Sequence, residues 1–391
     1  MIDFTSSLYL GMRHPHASLA PWTSLTTGVP AALGEPGAAR EVSEELARLQ
    51  GCEGTVLGTS TLHLFWDVCG MLGGDVTLLA DEGLYAVGRA GVERAGARGV
   101  PVRVIAHYDA AALARAVGEC AGQGRRPVLV CDGLCVDCGR VAPLARMVPW
   151  LKAHRGHAIV DDTQALGVVG AGSSARQPLG TGGGGSLRHQ EVMASGAVVI
   201  CSLAKGFGVP LAALSGRRAM LARYAARSEV RVHSSPPSLA HLVAAARALS
   251  VNRLGGERLR ERLRAATLRF RRRAVHAGVT LSPTLFPVQT VGGGVDGVAL
   301  HGALLRCGVA TVLRARTRQG RPRVSFVLTA RHTARQIDEA IDHLARQLSV
   351  LSTATTPQDD DATKGAGHAP HPGGPLAPAE LLRVVARPRH P

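Results

Sequence analysis

The chain has 391 residues, enough for a large domain beside a smaller one, and its apolar runs are too short and too often broken by charge to read as membrane spans. Hydrophobic residues make up 46% and aromatics only 3%, so the core must be built from Ala, Val and Leu. The formal charge of +16 comes from 45 Lys plus Arg, mostly Arg, spread along helical patterns with few aromatics for base stacking, which argues against nucleic acid as the partner.

In chain order, residues 25–30 are turn-rich and carry hydroxyls, Thr27 among them. Residues 40–50 have the spacing of an amphipathic helix, with Val42, Leu46 and Leu49 on one face and Gly51 as a stop. The short apolar run Val56-Leu57 leads to Gly58-Thr59-Ser60-Thr61 and a helical stretch over 62–72. Small hydroxyl residues at a helix N-terminus offer N–H groups to a phosphate, and ordinary capping uses the same residues. Residues 77–80 predict a strand ending at Asp81, with Tyr85 four residues on.

Residues 127–130 predict a strand leading to Cys131, Cys135 and Cys138. The spacing C-x₃-C-x₂-C is the one radical S-adenosylmethionine enzymes use for an iron–sulfur cluster; zinc is a further reading, without an evident fourth ligand, and no metal is assigned here. Another apolar strand, 158–160, ends in Asp161-Asp162. Residues 181–186 contain four consecutive glycines and read as a mobile loop, either a lid or an inert insertion. The buried strand 197–200 then delivers Cys201-Ser202-Leu203-Ala204-Lys205-Gly206-Phe207-Gly208. Helices are expected over 219–226, 239–249 and about 256–277, with strands over 286–291, 309–313 and 321–329 and a last helix over 334–348. From about Ser352 the composition turns to Thr, Pro, Asp, Gly and Ala, as in a disordered tail, with 381–385 as a short apolar docking piece.

Two of these stretches carry chemistry. A lysine among small residues and glycines can lose its proton and attack a carbonyl to form a Schiff base; in a solvated loop it would be an ordinary surface lysine. A carboxylate at a strand's C-terminal end points into the crevice where α/β sheets bind ligands. Asp161 lies about 40 residues before Lys205, a spacing that fits one or two strand-and-connection units. A buried Asp beside a pyridinium nitrogen keeps it protonated, so the pair suggests a pyridoxal phosphate (PLP) pocket.

On these residues the chain resembles the fold-type I PLP-dependent enzymes of the aminotransferase class I/II superfamily. It is most similar to the α-oxoamine synthases, the family of 8-amino-7-oxononanoate synthase and 2-amino-3-ketobutyrate CoA ligase. The resemblance covers roughly residues 2–348 and runs through the opening motif at 2–12, the segment Asp132-Gly133, the Lys205 stretch and the run from Arg321 to Thr333. The sequence opens almost at the first motif, without the helical segment that precedes it in the family.

The resemblance implies an α/β fold, with a large, mostly parallel sheet domain with helices on both faces and a small C-terminal α+β domain. The expected division is an N-terminal segment 1–50, a PLP-binding domain 51–240, a small domain 241–350 and a tail 351–391. It assigns Lys205 as the Schiff-base lysine and Asp161 as the partner of the ring nitrogen. Tyr85 stands where the family has a stacking histidine, and Gln164 where it has a histidine near the phenolic oxygen. Ser202, Ser60 and Thr61 match phosphate contacts, with Ser234 or Ser235 reaching the phosphate of a partner subunit in a homodimer. Arg323 matches the arginine for the amino-acid carboxylate, and Thr27 lies in a substrate-facing segment. The Cys131–Cys138 run would form a loop over the cofactor, with Val136 in place of a serine.

The activity implied is condensation of an amino acid with an acyl thioester, from acyl-CoA or an acyl-carrier protein. An aminotransferase, or a lyase or decarboxylase, is the alternative that Tyr85, Gln164, Val136 and Ser7 leave open. A basic nucleic-acid-binding or regulatory protein on the same fold is more remote. Eight cysteines and no secretory pattern at Met1-Ile2-Asp3-Phe4-Thr5 predict free thiols in the cytoplasm.

Overall fold

The computed structural model describes residues 1–314 and 321–353. The expected tail lies outside the described residues except for 351–353, which end the last helix. Its apolar piece 381–385 lies wholly outside them.

The chain opens with β1 (Ile2–Asp3) and reaches α1 (Gly37–Gln50), which Gly51 ends at φ 72°, a left-handed conformation that suits glycine. An alternation of strands and helices follows: β2 (Gly54–Gly58), α2 (Thr61–Gly70), β3 (Val76–Asp81), α3 (Ala86–Ala97), β4 (Val102–Ile105), α4 (Ala110–Gly122), β5 (Arg126–Asp132), α5 (Leu144–Ala153) and β6 (His157–Asp161). After the short α6 (Ser186–His189) come β7 (Ala197–Ser202), β8 (Ala212–Gly216), α7 (Arg218–Arg227), α8 (Glu229–His233) and α9 (Leu239–His276). The remainder comprises β9 (Val288–Thr290), α10 (Gly297–Arg306), β10 (Val309–Ala310), β11 (Val312–Arg314), β12 (Arg323–Val327) and α11 (Ala334–Thr353).

Seven strands form one sheet in the order β2-β8-β7-β6-β5-β3-β4. Only β8 runs antiparallel to its neighbours. The central strands are near-continuous buried runs, Pro127 to Asp132 in β5 and Ala197 to Cys201 in β7, as a sheet covered on both faces requires. Two apolar layers sandwich it, one centred on Leu129, Val160 and Leu113, the other on Leu78, Val130 and Phe65. The chain leaves β3 outward to β4 and returns on the other side as β5, so a crevice opens at the carboxyl ends of the middle strands.

A second, smaller sheet, β11-β12-β9, is antiparallel and packs with α10, α11 and the far half of α9. The chain's first residues belong to this body. Ile2 pairs with Val309, and the Phe4 ring stands 5.3 Å from Phe326 and 6.1 Å from Phe270.

Three expectations need correction. The helices read at 239–249 and 256–277 are one 38-residue helix, α9, which runs straight through Gly255 and Gly256. Gly256 is required there: a Cβ would come 2.5 Å from Asn252 Oδ1 and 2.7 Å from Arg260 Nη2, breaking into a buried pair. The strand read at 309–313 is two short strands interrupted at Thr311. Cys131 belongs to β5 rather than to a loop. No helix among the described residues is long and apolar enough to cross a membrane.

Candidate active site

Three strand ends build the site. Asp132 closes β5 and Asp161 closes β6, and the two stand opposite one another in the parallel ladder. Ser202 closes β7, and the turn beyond it presents Lys205. Lys205, Asp161, Asp132, Ser202, Thr163, Gln164, Tyr85 and Thr61 all line one cavity of about 200 Å³, with Leu134 and Val136 as apolar wall.

The turn around Lys205 is fixed by glycine. A Cβ on Gly206 would lie 2.3 Å from the Leu166 carbonyl, and Gly208 has φ 68°. Within the turn, Ser202 N–H donates to Thr163 Oγ1 (3.1 Å) and Ala204 N–H to Ser202 Oγ (3.2 Å). Burial pulls the Lys205 amine below its usual pKa, against the opposing charges of Asp161 and Asp132. The Lys205 Nζ stands 6.0 Å from the centre of the Tyr85 ring, whose side of the cavity is half exposed.

Burial raises Asp161, while Thr163 and the charge of Lys205 oppose it; Thr163 N–H donates to Asp161 Oδ1 at 3.0 Å. Burial and the neighbouring Asp161 raise Asp132 well above the carboxylate range. Asp132 Oδ1 accepts from Tyr85 N–H (3.2 Å), which ties the Tyr85 backbone to β5. The Tyr9 hydroxyl donates to Gln164 Oε1 (2.6 Å), leaving the Gln164 amide nitrogen to donate elsewhere.

The glycine run is not a free loop. Gly167 N–H donates to Gly183 O and Gly185 N–H to Val169 O, Gly182 N–H donates to Glu257 Oε1, and Asn252 Nδ2 donates to Gly182 O. A Cβ on Gly185 would meet Asp162 Oδ2 at 1.9 Å, and one on Gly184 the Leu49 carbonyl at 2.4 Å. The glycines are there because the segment is packed under the site, which local composition alone does not convey.

No family model matches the chain. Among curated proteins, the 8-amino-7-oxononanoate synthase of Alkalilimnicola ehrlichii is 30% identical over 283 residues, covering 71% of this chain and 68% of that protein. This chain belongs to the α-oxoamine synthase family. Another relative, the 8-amino-7-oxononanoate synthase of Thioalkalivibrio sulfidiphilus, is 30% identical over 253 residues, 62% of this chain, and the match spans 60% of that protein's length. Two solved structures share the fold: the serine palmitoyltransferase of Sphingomonas wittichii (TM-score 0.79, 17% identity) and a serine palmitoyltransferase variant from S. paucimobilis with a bound PLP–myriocin aldimine (TM-score 0.79, 16% identity). Each comparison covers 90% of this chain and 88% of the other. The seven-stranded, mostly parallel sheet and the small antiparallel sheet are thus the architecture of this α-oxoamine synthase family member.

Of the residues singled out in the sequence, Lys205, Asp161, Tyr85, Gln164, Ser202 and Thr61 meet in the cavity. Ser60 stands just outside as the cap of α2, its Oγ accepting from Leu62 N–H at 3.1 Å. Thr27 is exposed and apart from the lining. Ser234 and Ser235 are also apart from it, and Ser234 Oγ donates to Val230 O at 2.7 Å. Arg323, at the start of β12, donates from Nε and Nη2 to Val291 O (3.1 and 2.7 Å) and is not among the lining residues.

Asp132 and Thr163, which line the cavity, were not anticipated, nor was Arg314, which holds the turn carrying Val136 beside it. Asp132 and Thr163 had a signal, a polar residue at or just past the end of a buried strand. Arg314, which pairs with Asp137 and donates to Val136 O (3.1 Å), had none among so many arginines.

Proposed function

We propose that this chain is a PLP-dependent enzyme that condenses an amino acid with an acyl thioester. The observation that carries the reading is the convergence of Lys205 and Asp161 on one cavity at the carboxyl edge of the sheet. The donor set fits pyridoxal phosphate: a buried amine with lowered pKa for the aldehyde, a buried carboxylate for the ring nitrogen, an aromatic ring at the side, and the N-terminus of α2 with Thr61 and Ser202 for the phosphate.

When bound, PLP supplies a protonated ring that takes up the electrons released at the substrate's α-carbon. Asp161 holds the proton on the ring nitrogen, and its burial keeps that charge unscreened by water. Thr163 fixes the Asp161 carboxylate through its N–H. Lys205 would hold the cofactor through its aldehyde carbon, and its amine would stand as the base for the substrate's α-proton. Its lowered pKa raises the neutral fraction that both tasks need. Gln164, with its carbonyl taken by Tyr9, keeps its amide N–H to donate and would hold the cofactor's phenolic oxygen.

On this reading Arg323 leaves Val291 O to take the substrate carboxylate, and Ser234 or Ser235 reaches the phosphate of a second subunit in a homodimer. The acyl donor is an acyl-CoA or acyl-carrier thioester. Eight cysteines, free in this structure, suit a reducing cytoplasm. Tyr85, where the family has histidine, favours an aminotransferase as the second reading.

The test is an absorbance spectrum of the purified protein beside Lys205→Ala, followed by thiol release from acyl-CoA with single amino acids present. We expect a visible band only with Lys205, and free CoA formed with one amino acid at a rate at least about 100-fold above that of the variant. Amination of a keto acid without CoA release would replace the condensation by transamination. No visible band after added PLP would overturn both.

A further inference from the structure

We propose that His107, Cys135 and Cys138 form a binding site for a soft divalent cation of the zinc class, with the fourth position left to water. The three are not neighbours in sequence. His107 follows β4, and the two cysteines sit on the tight turn after β5. That turn is closed by Cys135 N–H to Arg140 O (3.0 Å), by Gly139 N–H to Cys135 O (2.8 Å), and by Gly139 at φ 66°. The candidate donor atoms all lie within 4.8 Å of one another. The His107 Nε2 stands 3.3 Å from Cys138 Sγ, close to the roughly 3.5 Å that two ligands at zinc–nitrogen and zinc–sulfur distances subtend across a tetrahedral ion.

The orientation of His107 is the second observation. Its other ring nitrogen, Nδ1, is 2.6 Å from Asp81 Oδ1, and the two side chains are 2% and 1% exposed. Asp81 is itself held, by Gly83 N–H (2.7 Å) and Tyr108 N–H (2.9 Å). A buried carboxylate that fixes one imidazole nitrogen and aims the other at thiol sulfurs is the arrangement that metal-binding histidines use. A simple Cys135–Cys138 disulfide would not call for an imidazole nitrogen aimed at the Cys138 sulfur. Cys131 takes no part. It is wholly buried in β5 among Leu79, Leu129 and Val160, so the group that forms is His-Cys-Cys and not the three-cysteine set that the sequence spacing suggests.

The turn between the two cysteines carries Val136, which lines the cavity, and Asp137, which pairs with Arg314. A cation at this point fastens the wall of the cavity to the ends of β3 and β4.

The experiment is cobalt(II) titration of the full-length holoprotein, reduced and stripped with a chelator, read as difference spectra. We expect thiolate-to-cobalt charge-transfer and tetrahedral ligand-field bands that saturate at one equivalent and are displaced by zinc. They should survive Cys131→Ser and vanish in Cys135→Ser and Cys138→Ser. Asp81→Asn should weaken zinc affinity by about 10- to 100-fold. Should the cysteine variants fail to fold, His107→Gln gives the same readout, with circular dichroism as the folding control. Absent bands in reduced protein would overturn the site. So would bands unaffected by Cys135→Ser, or an intact mass showing a Cys135–Cys138 disulfide under the same reducing conditions.

Discussion

Lys205 is one of only three lysines in the chain, with Lys152 and Lys364, against a background in which arginine supplies nearly all the positive charge. A guanidinium cannot be deprotonated in a protein, so a site that needs a neutral amine must keep lysine. The same wish to be neutral is imposed on Asp162, which is 1% exposed beside the reactive carboxylate. Burial pushes its carboxyl up to about 6, against hydrogen bonds from Ser186 and with help from Asp161. The folded state therefore holds this proton more tightly than the unfolded chain does. The contribution to stability is fully present below about pH 4 and is lost as pH rises through about 6, amounting to no more than about 3 kcal/mol. Denaturant unfolding of the PLP-free protein and of Asp162→Asn at pH 4, 5, 6 and 7 checks this. The stability difference between them should shift in favour of the variant as pH rises, and a constant difference would refute the assignment.

At the scale of elements, the segment beneath the cavity shows how packing decides what glycine is for. Gly185 has φ 88° and no room for a Cβ, whereas Gly182 has φ 79° with open space around it. Gly182→Ala should cost about 1 kcal/mol from backbone strain alone, and Gly185→Ala should cost more, in the range of about 3 kcal/mol, by displacing Asp162. Thermal or denaturant melts of the two variants would separate them; equal losses would mean the contact with Asp162 is relieved cheaply. These glycines also mark the limit of what the sequence discloses. Strands β5, β6 and β7 were legible because buried parallel strands are continuous apolar runs; Asp161 was legible because it breaks such a run at its end, and Lys205 because it stands among small residues and glycines just past another. The glycine run looked mobile because its partners, Glu257 and Asn252, lie on a distant helix. His107 was invisible for the same reason: its relation to Cys135 and Cys138 exists only once β4 and β5 are placed on either side of β3.

For the whole molecule, pairs such as Arg269 with Asp338 and Arg273 with Asp342 join opposite charges and leave the net +16 undiminished. A surface with this surplus attracts phosphorylated substrates over distances set by the salt concentration. On the proposed activity, kcat/KM for a CoA thioester should fall about tenfold between low and high salt, while a short thioester lacking the nucleotide phosphates should change little. Equal salt slopes would make the charge a matter of composition alone. The small domain adds a constraint of a different kind. Its core is built from Phe4 together with Phe270 and Phe326, and β1 pairs with β10 in a two-stranded sheet of its own. Residues 2–4 must therefore wait, without their permanent neighbours, until the chain through Phe326 has left the ribosome. The large sheet can close on its own contacts first, and the small body can only finish last, by recapturing β1 from the far side of the large sheet in sequence.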